Sequence, residues 1–329
     1  MQHKPLYRVI LKKAWTVTWT NRPLWLFAFF ATFLQTTGVF ESIIRAFAKI
    51  PASGFDVTSL VQSAYPTAPL ATVFSNIGSV RPEGILFLAL FIAAGLLFLW
   101  IAAACEGTVI WLVGTTRRGA TSFSESFRHG RSFAWRLVVL HVVAKLVLAA
   151  AFLLTSLPLL LATQTSNYQT AALYFGAFLI FFPLMLIVSF LTIYAACAIV
   201  LDRKPLLKAV ETAWEIFAKH WLISLETALL VFAVSILGGI IVTLAALLLI
   251  LPATLILAAA FFTGSTAVAG VVIAFYLIGI ILLAVLGGSI ITTFQLTTWT
   301  LLYRHISARG AVAKLVRFVR SLIPTWLAS

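Results

Sequence analysis

Charged residues are scarce in this 329-residue chain, and acidic ones most of all. Charged side chains make up 10% of the sequence and hydrophobic ones 62%. A soluble domain carries about 25% charged and about 45–50% apolar residues, which excludes that class. Apolar runs longer than about 18 residues recur, and runs of that length are typical of membrane-spanning helices. The composition therefore predicts a multi-pass membrane protein.

Cysteine is also rare: only Cys105 and Cys197 occur, both inside apolar runs. This excludes a disulfide framework, and no Cys/His spacing typical of a metal site is present. The sequence also lacks a P-loop, a dinucleotide-binding fingerprint and an HExxH motif. We therefore predict no cofactor, no metal and no catalytic residue, and an enzyme is the least favoured class.

Basic residues outnumber acidic ones, 23 to 9, for a formal net charge of +14. Most of them lie on alternate connections: before the first apolar run, between the second and third, between the fourth and fifth, and after the last. The positive-inside rule then predicts a bacterial-type plasma-membrane protein with both termini in the cytoplasm. This placement indicates membrane lipids as partners, above all the anionic inner leaflet, and not nucleic acid.

The apolar runs predict an all-α bundle of about six transmembrane helices in a single integral membrane domain, residues 1–329. The expected spans are Leu24–Phe47, Ile85–Val113, Trp135–Leu161, Ala171–Leu201, Trp221–Leu251 and Ala267–Tyr303. We interpret them as three hairpin repeats over residues 5–113, 121–201 and 205–303. Residues 304–329 would form a basic amphipathic tail.

An amphipathic segment precedes each expected hairpin on the cytoplasmic side. The clearest is Leu206–Leu222, in which apolar residues recur every three or four positions and charged residues occupy the opposite face. Similar segments lie at Pro5–Thr20 and from Ser122 onward. We expect these segments to be helices at the membrane surface.

Short motifs recur within these segments. They are Lys13–Trp15 with Asn21–Leu24, Thr212–Trp214 with Lys219–Leu222, and a degenerate copy, Ser124–Phe127 with Trp135–Leu137. The pattern resembles the glycerophosphoryl diester phosphodiesterase membrane-domain family and related six-span bacterial membrane proteins. In that family the hydrolase activity resides in a separate soluble domain, and no long soluble segment occurs here. The resemblance therefore implies a membrane module and not a phosphodiesterase.

Five polar residues within the expected spans form a candidate layer near the cytoplasmic face: Glu106, His141, Lys145, Glu226 and Gln295. A charge inside a bilayer costs about 2.5–3.5 kcal/mol on insertion scales, so these residues need a role. We expect Lys145 to lie between the carboxylates of Glu106 and Glu226, with His141 one turn away. The layer is interpreted either as a substrate or proton site or as an ion-pair clamp between hairpins.

Two glycine pairs, Gly238–Gly239 and Gly287–Gly288, lie at matching depth in the last two spans. Small residues allow membrane helices to approach closely, so we predict backbone-to-backbone packing there. The alternative is a flexible point in each helix.

Beyond the last span, basic residues flank an apolar stripe, and they include Arg309, Lys314, Arg317 and Arg320. These four side chains are expected to contact anionic lipid headgroups, while a protein-docking helix is the alternative interpretation. For the whole chain, the sequence favours a non-enzymatic membrane scaffold or assembly module with a protein partner it does not identify. The alternative is a transporter or channel for a small solute or lipid that uses the polar layer.

Overall fold

A computed structural model describes residues 6–35, 82–115, 123–162, 168–262 and 266–309. This part of the chain is almost entirely helical and contains no strand, which confirms the all-α expectation. The helices are α1 (Leu6–Thr20), α2 (Pro23–Gln35), α3 (Pro82–Thr115), α4 (Phe123–Ala162), α5 (Tyr168–Leu201), α6 (Leu206–Phe262) and α7 (Thr266–Arg309).

Five of these helices, α3 to α7, are long and apolar enough to cross a membrane. The short apolar helix α2 corresponds to the start of the first expected span, and the rest of that span lies outside the described residues. The expectation of a membrane-embedded helical protein is therefore confirmed at this level.

Helices α3, α5 and α7 form the centre of the bundle, and the other helices pack against them. Helices α3, α5 and α7 contact one another, and each of the other long helices contacts two of them. Helix α4 packs on α3 and α5, α6 packs on α5 and α7, and the short α2 packs on α3 and α7. Helix α1 lies against α7.

Buried residues concentrate at one end of the bundle, where α3, α5 and α7 end and α4 and α6 begin. This end holds the buried small residues of α3 and α5, Ala102–Cys105 and Ala195–Ala198. At the opposite end the apolar side chains are exposed, as at Leu90 in α3 and Phe275 in α7. The basic connections adjoin the packed end, so the positive-inside rule predicts that this end faces the cytoplasm.

Two of the expected surface helices are continuous with the spans that follow them. Helix α4 begins at Phe123 and runs on into its span. Helix α6 joins the amphipathic segment to the span through one non-helical residue, His220, with φ −132° and ψ 27°. Only α1 is a separate helix, because the chain turns at Asn21 and restarts at Pro23. The indole of Trp25 donates a hydrogen bond of 2.8 Å to the backbone oxygen of Thr18 across that turn.

Candidate functional site

A buried polar pair joins α3 to α4. The Nε2–H of His141 donates to Oε2 of Glu106 over 2.7 Å. Only 3% of Glu106 and 7% of His141 is exposed. A carboxylate this deeply buried needs a close partner, because desolvation penalises its charge. The imidazole supplies that partner directly.

Glycine allows the two helices to come close enough for this pair. A Cβ atom at Gly130 in α4 would collide with the backbone oxygen of Ala104 and with Thr108 in α3. A Cβ atom at Gly107 in α3 would lie 3.2 Å from the backbone oxygen of Gly130. The backbones of α3 and α4 are thus in close contact at Gly107 and Gly130, at a position that was not predicted from the sequence. Small residues in both segments could have indicated this contact. Gly130, however, lies among basic residues and was assigned to a surface segment.

The other residues of the expected layer have different environments. Lys145 is exposed on α4, so the side chain that meets Glu106 is His141. Glu226 is half-buried in α6. Gln295 in α7 donates from Nε2 to Oγ of Ser235 in α6 over 2.8 Å. The structure therefore joins Glu106 to His141, and Gln295 contributes to a separate contact.

The glycine pairs of α6 and α7 do lie where these helices pack, but side chains fill the contact. Gly238 faces the side chain of Ile291, 3.0 Å from the position of a Cβ atom. A Cβ atom at Gly287 would collide with the side chain of Val242. Gly239 and Gly288 have open space, with nothing within 4 Å of a Cβ atom. The expected backbone-to-backbone contact is therefore a contact between a glycine and a branched side chain.

Further polar contacts cross between helices at the packed end. The hydroxyl groups of Tyr194 in α5 and Ser224 in α6 lie 2.6 Å apart. Those of Thr32 in α2 and Thr292 in α7 lie 2.9 Å apart. The sequence analysis named none of these hydroxyl pairs, since Ser, Thr and Tyr inside an apolar run do not by themselves indicate a partner.

A cavity of about 380 Å³ opens where α3, α5 and α7 come together at the packed end. Its wall includes Trp111 of α3, Asp202 and Arg203 directly after α5, and Tyr303 and Arg304 of α7. The hydroxyl of Tyr303 donates to Oδ2 of Asp202 over 2.6 Å. Arg203 and Arg304 belong to the basic connections that predict the topology, and nothing in their sequence pattern predicts this cavity.

The expected lipid-contacting tail is largely beyond the described part of the chain. Arg309 is the last residue of α7, and Lys314, Arg317 and Arg320 lie outside the described residues. Within the described ranges, no group of His, Cys, Asp and Glu side chains could hold a metal ion.

The long apolar helices and their packing define a helical membrane protein with its polar contacts concentrated at one end. Comparison with protein-family models, with curated proteins and with solved structures finds no match to this chain.

Proposed function

We propose that this protein is a non-enzymatic scaffold or assembly module of the bacterial-type plasma membrane, with both termini in the cytoplasm. The observation that supports this most directly is the contact between Glu106 and His141. The two side chains meet at 2.7 Å and are more than nine-tenths buried, and neither lines the cavity at the packed end. A pair so enclosed is suited to holding helices together and offers no surface to a solute.

The distribution of polar contacts supports the same role. In the proposed arrangement the hairpins are α2–α3, α4–α5 and α6–α7, and each junction between hairpins has a polar contact. Glu106–His141 joins the first and second, Tyr194–Ser224 the second and third, and Thr32–Thr292 the third and first. Hydrogen bonds between membrane helices stabilise their association by about 0.6 kcal/mol on average, so three junctions together would fix the arrangement of the hairpins.

The arrangement of helices is also consistent with three repeats. The second helix of each proposed hairpin is α3, α5 or α7, and these three contact one another. Each first helix contacts its own hairpin partner and the second helix of a neighbouring hairpin. Three units related in this way would form a stable platform for amphipathic segments at the membrane surface.

Those segments are the proposed contact surface for lipids and for a protein partner. In α1, Trp15 and Trp19 are exposed beside basic residues, as expected of a helix in the headgroup region. In α6, Leu207 is 83% exposed, on the amphipathic part of the helix before His220. An exposed leucine beside basic residues suits either lipid or a partner helix.

Site-specific photo-crosslinking in intact membranes tests the scaffold proposal. A photoreactive residue at Leu207 is expected to crosslink to a protein of defined mass. The matched control is the same residue at Phe275, which is 77% exposed at the opposite end and should crosslink only to lipid. The proposal fails if position 207, like position 275, crosslinks to lipid and to no protein.

A transporter or channel is the second candidate, and two buried hydroxyl groups favour it. Within the described residues, the hydroxyls of Thr227 and Thr297 are buried and have no hydrogen-bond partner. Buried hydroxyls of this kind are suited to a hydrated path or to an exchangeable ligand. Solute uptake into proteoliposomes, reduced in Thr297→Val and unchanged in Thr16→Val on the exposed face of α1, would favour transport over a scaffold.

A further inference from the structure

We propose that the cavity where α3, α5 and α7 come together binds a small zwitterion that carries a phosphate and an ammonium group. The phosphate would contact the guanidinium groups of Arg203 and Arg304, and the ammonium would contact the carboxylate of Asp202. All three side chains line the cavity. This binding site does not depend on the scaffold role.

Charges of both signs at the cavity favour a zwitterion over a simple anion. Among the described residues of its wall, Arg203 and Arg304 are basic and Asp202 is acidic. Asp202 directly follows Leu201, the last residue of α5, and the carboxyl end of a helix adds partial negative charge on the acidic side. A site with separated charges of both signs matches a ligand of the same kind.

The acidic side of the cavity is held in place by a hydrogen bond. The hydroxyl of Tyr303 donates to Oδ2 of Asp202 over 2.6 Å, which ties the end of α5 to α7. Because the tyrosine hydroxyl is the donor, it fixes the orientation of the carboxylate. Asp202 thus presents an oriented acceptor group to an ammonium group at the cavity wall.

The basic side of the cavity includes an unusual backbone conformation. Arg203 has φ 55°, in the left-handed region that favours glycine. A non-glycine residue there costs on the order of 1 kcal/mol, and such residues tend to cluster at binding sites. The turn is held by a hydrogen bond of 3.3 Å from the N–H of Lys204 to the oxygen of Ala198. The conformation of Arg203 therefore accompanies a guanidinium group at the cavity wall.

The remaining wall is built for close packing. A Cβ atom at Gly114 in α3 would collide with the side chain of Leu201 in α5, so glycine allows these two helix ends to meet. Trp111 is backed by His129 of α4, with ring centroids 4.2 Å apart and planes 12° apart. This stack fixes an aromatic wall, and aromatic side chains also attract ammonium groups. A volume of about 380 Å³ lies within the range of small-ligand pockets.

The same chemistry occurs in two sources: the headgroup of an ethanolamine phospholipid and a soluble phosphoamine. Soluble O-phosphoethanolamine is a probe for both. Its affinity would be measured by isothermal titration calorimetry with the full chain in phosphatidylglycerol nanodiscs, alongside inorganic phosphate and ethanolamine. We expect phosphoethanolamine to bind at least ten-fold more tightly than either fragment.

Two variants test the contacts to the phosphate and to the ammonium group separately. Arg203→Gln should weaken phosphoethanolamine binding at least ten-fold, while the matched control Arg136→Gln, exposed on α4 and away from the cavity, should leave it unchanged. Asp202→Asn should weaken phosphoethanolamine at least five-fold without weakening inorganic phosphate. The proposal is overturned if wild-type protein binds none of the probes, if phosphate binds as tightly as phosphoethanolamine, or if Asp202→Asn has no effect. Thermal unfolding of each variant shows whether a loss of binding reflects loss of the fold.

A second set of nanodiscs identifies the source. If the ligand is a lipid headgroup, ethanolamine phospholipid in the disc should compete and raise the apparent Kd of phosphoethanolamine. If the ligand is soluble, the apparent Kd should be the same in both kinds of disc. Either outcome supports the site and assigns its ligand to one source.

Discussion

Removing one member of the Glu106–His141 pair should destabilise the bundle more than removing both. In Glu106→Leu the buried imidazole loses the carboxylate 2.7 Å away, and in His141→Leu the buried carboxylate loses its donor. A buried polar group left without its partner costs about 1–3 kcal/mol. Replacing both by apolar residues of similar size removes the desolvation penalty together with the hydrogen bond, which is often nearly neutral.

The size of the coupling follows from burial and charge. Hydrogen bonds between membrane helices give coupling energies of about 0.6 kcal/mol on average and about 1.7 kcal/mol at most. Charge-assisted bonds are roughly twice as strong as neutral ones. Both partners here are more than nine-tenths buried, so we expect a double-mutant cycle to give a coupling of about 1–2 kcal/mol.

The chain contains its own probes for the measurement. Cys105 and Cys197 are free and buried, so labelling by a thiol-reactive dye during denaturation reports unfolding. The control Glu211→Leu removes an exposed carboxylate from α6 and should change the free energy of unfolding by less than about 0.5 kcal/mol. If Glu106→Leu and His141→Leu each cost no more than this control, and their effects simply add, the clamp explanation of the pair is refuted.

Three further predictions concern backbone positions and use the same unfolding assay. Gly130→Ala should lower the free energy of unfolding by about 2 kcal/mol or more, because its methyl group would force α3 and α4 apart. The control Gly95→Ala, in open space, should leave the free energy of unfolding unchanged or raise it by up to about 1 kcal/mol. Gly287→Ala should cost at least about 1 kcal/mol more than Gly288→Ala, and equal effects would contradict the described register of α6 and α7. Arg203→Gly should raise the free energy of unfolding by about 0.5–1 kcal/mol and reduce the affinity for phosphoethanolamine. A lower free energy of unfolding would show that the left-handed conformation of Arg203 is not strained.

The helices could be predicted from the sequence because their signal is local. Apolar runs long enough to span a bilayer are read from consecutive residues, and α3 to α7 cover the five later expected spans. Their ends were less accurate: α6 continues past Leu251 to Phe262, because Pro252 does not end the helix. A surface helix was expected before each hairpin, but in α4 the surface segment and the span form one continuous helix.

The contacts between helices were harder to predict, because they depend on how each helix is rotated about its axis. Glu106 was selected for its depth in the membrane and His141 because it lies one turn from Lys145, but neither criterion shows which helix faces are in contact. Lys145 is one turn from His141 and was favoured as a partner for its charge, yet its side chain is exposed. The position of Gly130 sets the rotation of α4 against α3 and brings His141, not Lys145, onto Glu106.

The cavity had no local signal at all. Its wall combines the ends of three helices that are far apart in the sequence, and each end contributes only three or four residues. The left-handed conformation of Arg203 was equally hidden, since arginine rarely adopts it. Sites of this kind become visible only when the packing of the helix ends is known.

The uneven packing along the bundle makes its shape dependent on the surrounding bilayer. At one end the helices are held together by contacts with each other. Near Leu90 and Phe275 the apolar side chains are exposed, so lipid acyl chains and not neighbouring helices would surround them. A mismatch between the helices and the bilayer thickness costs fractions of a kcal/mol per Å, and the helices would shift first in the half of the bundle with the fewest contacts. Acyl-chain length would therefore adjust the separation of the helices at the exposed end, while the junction at Glu106 and the adjoining cavity keep their dimensions.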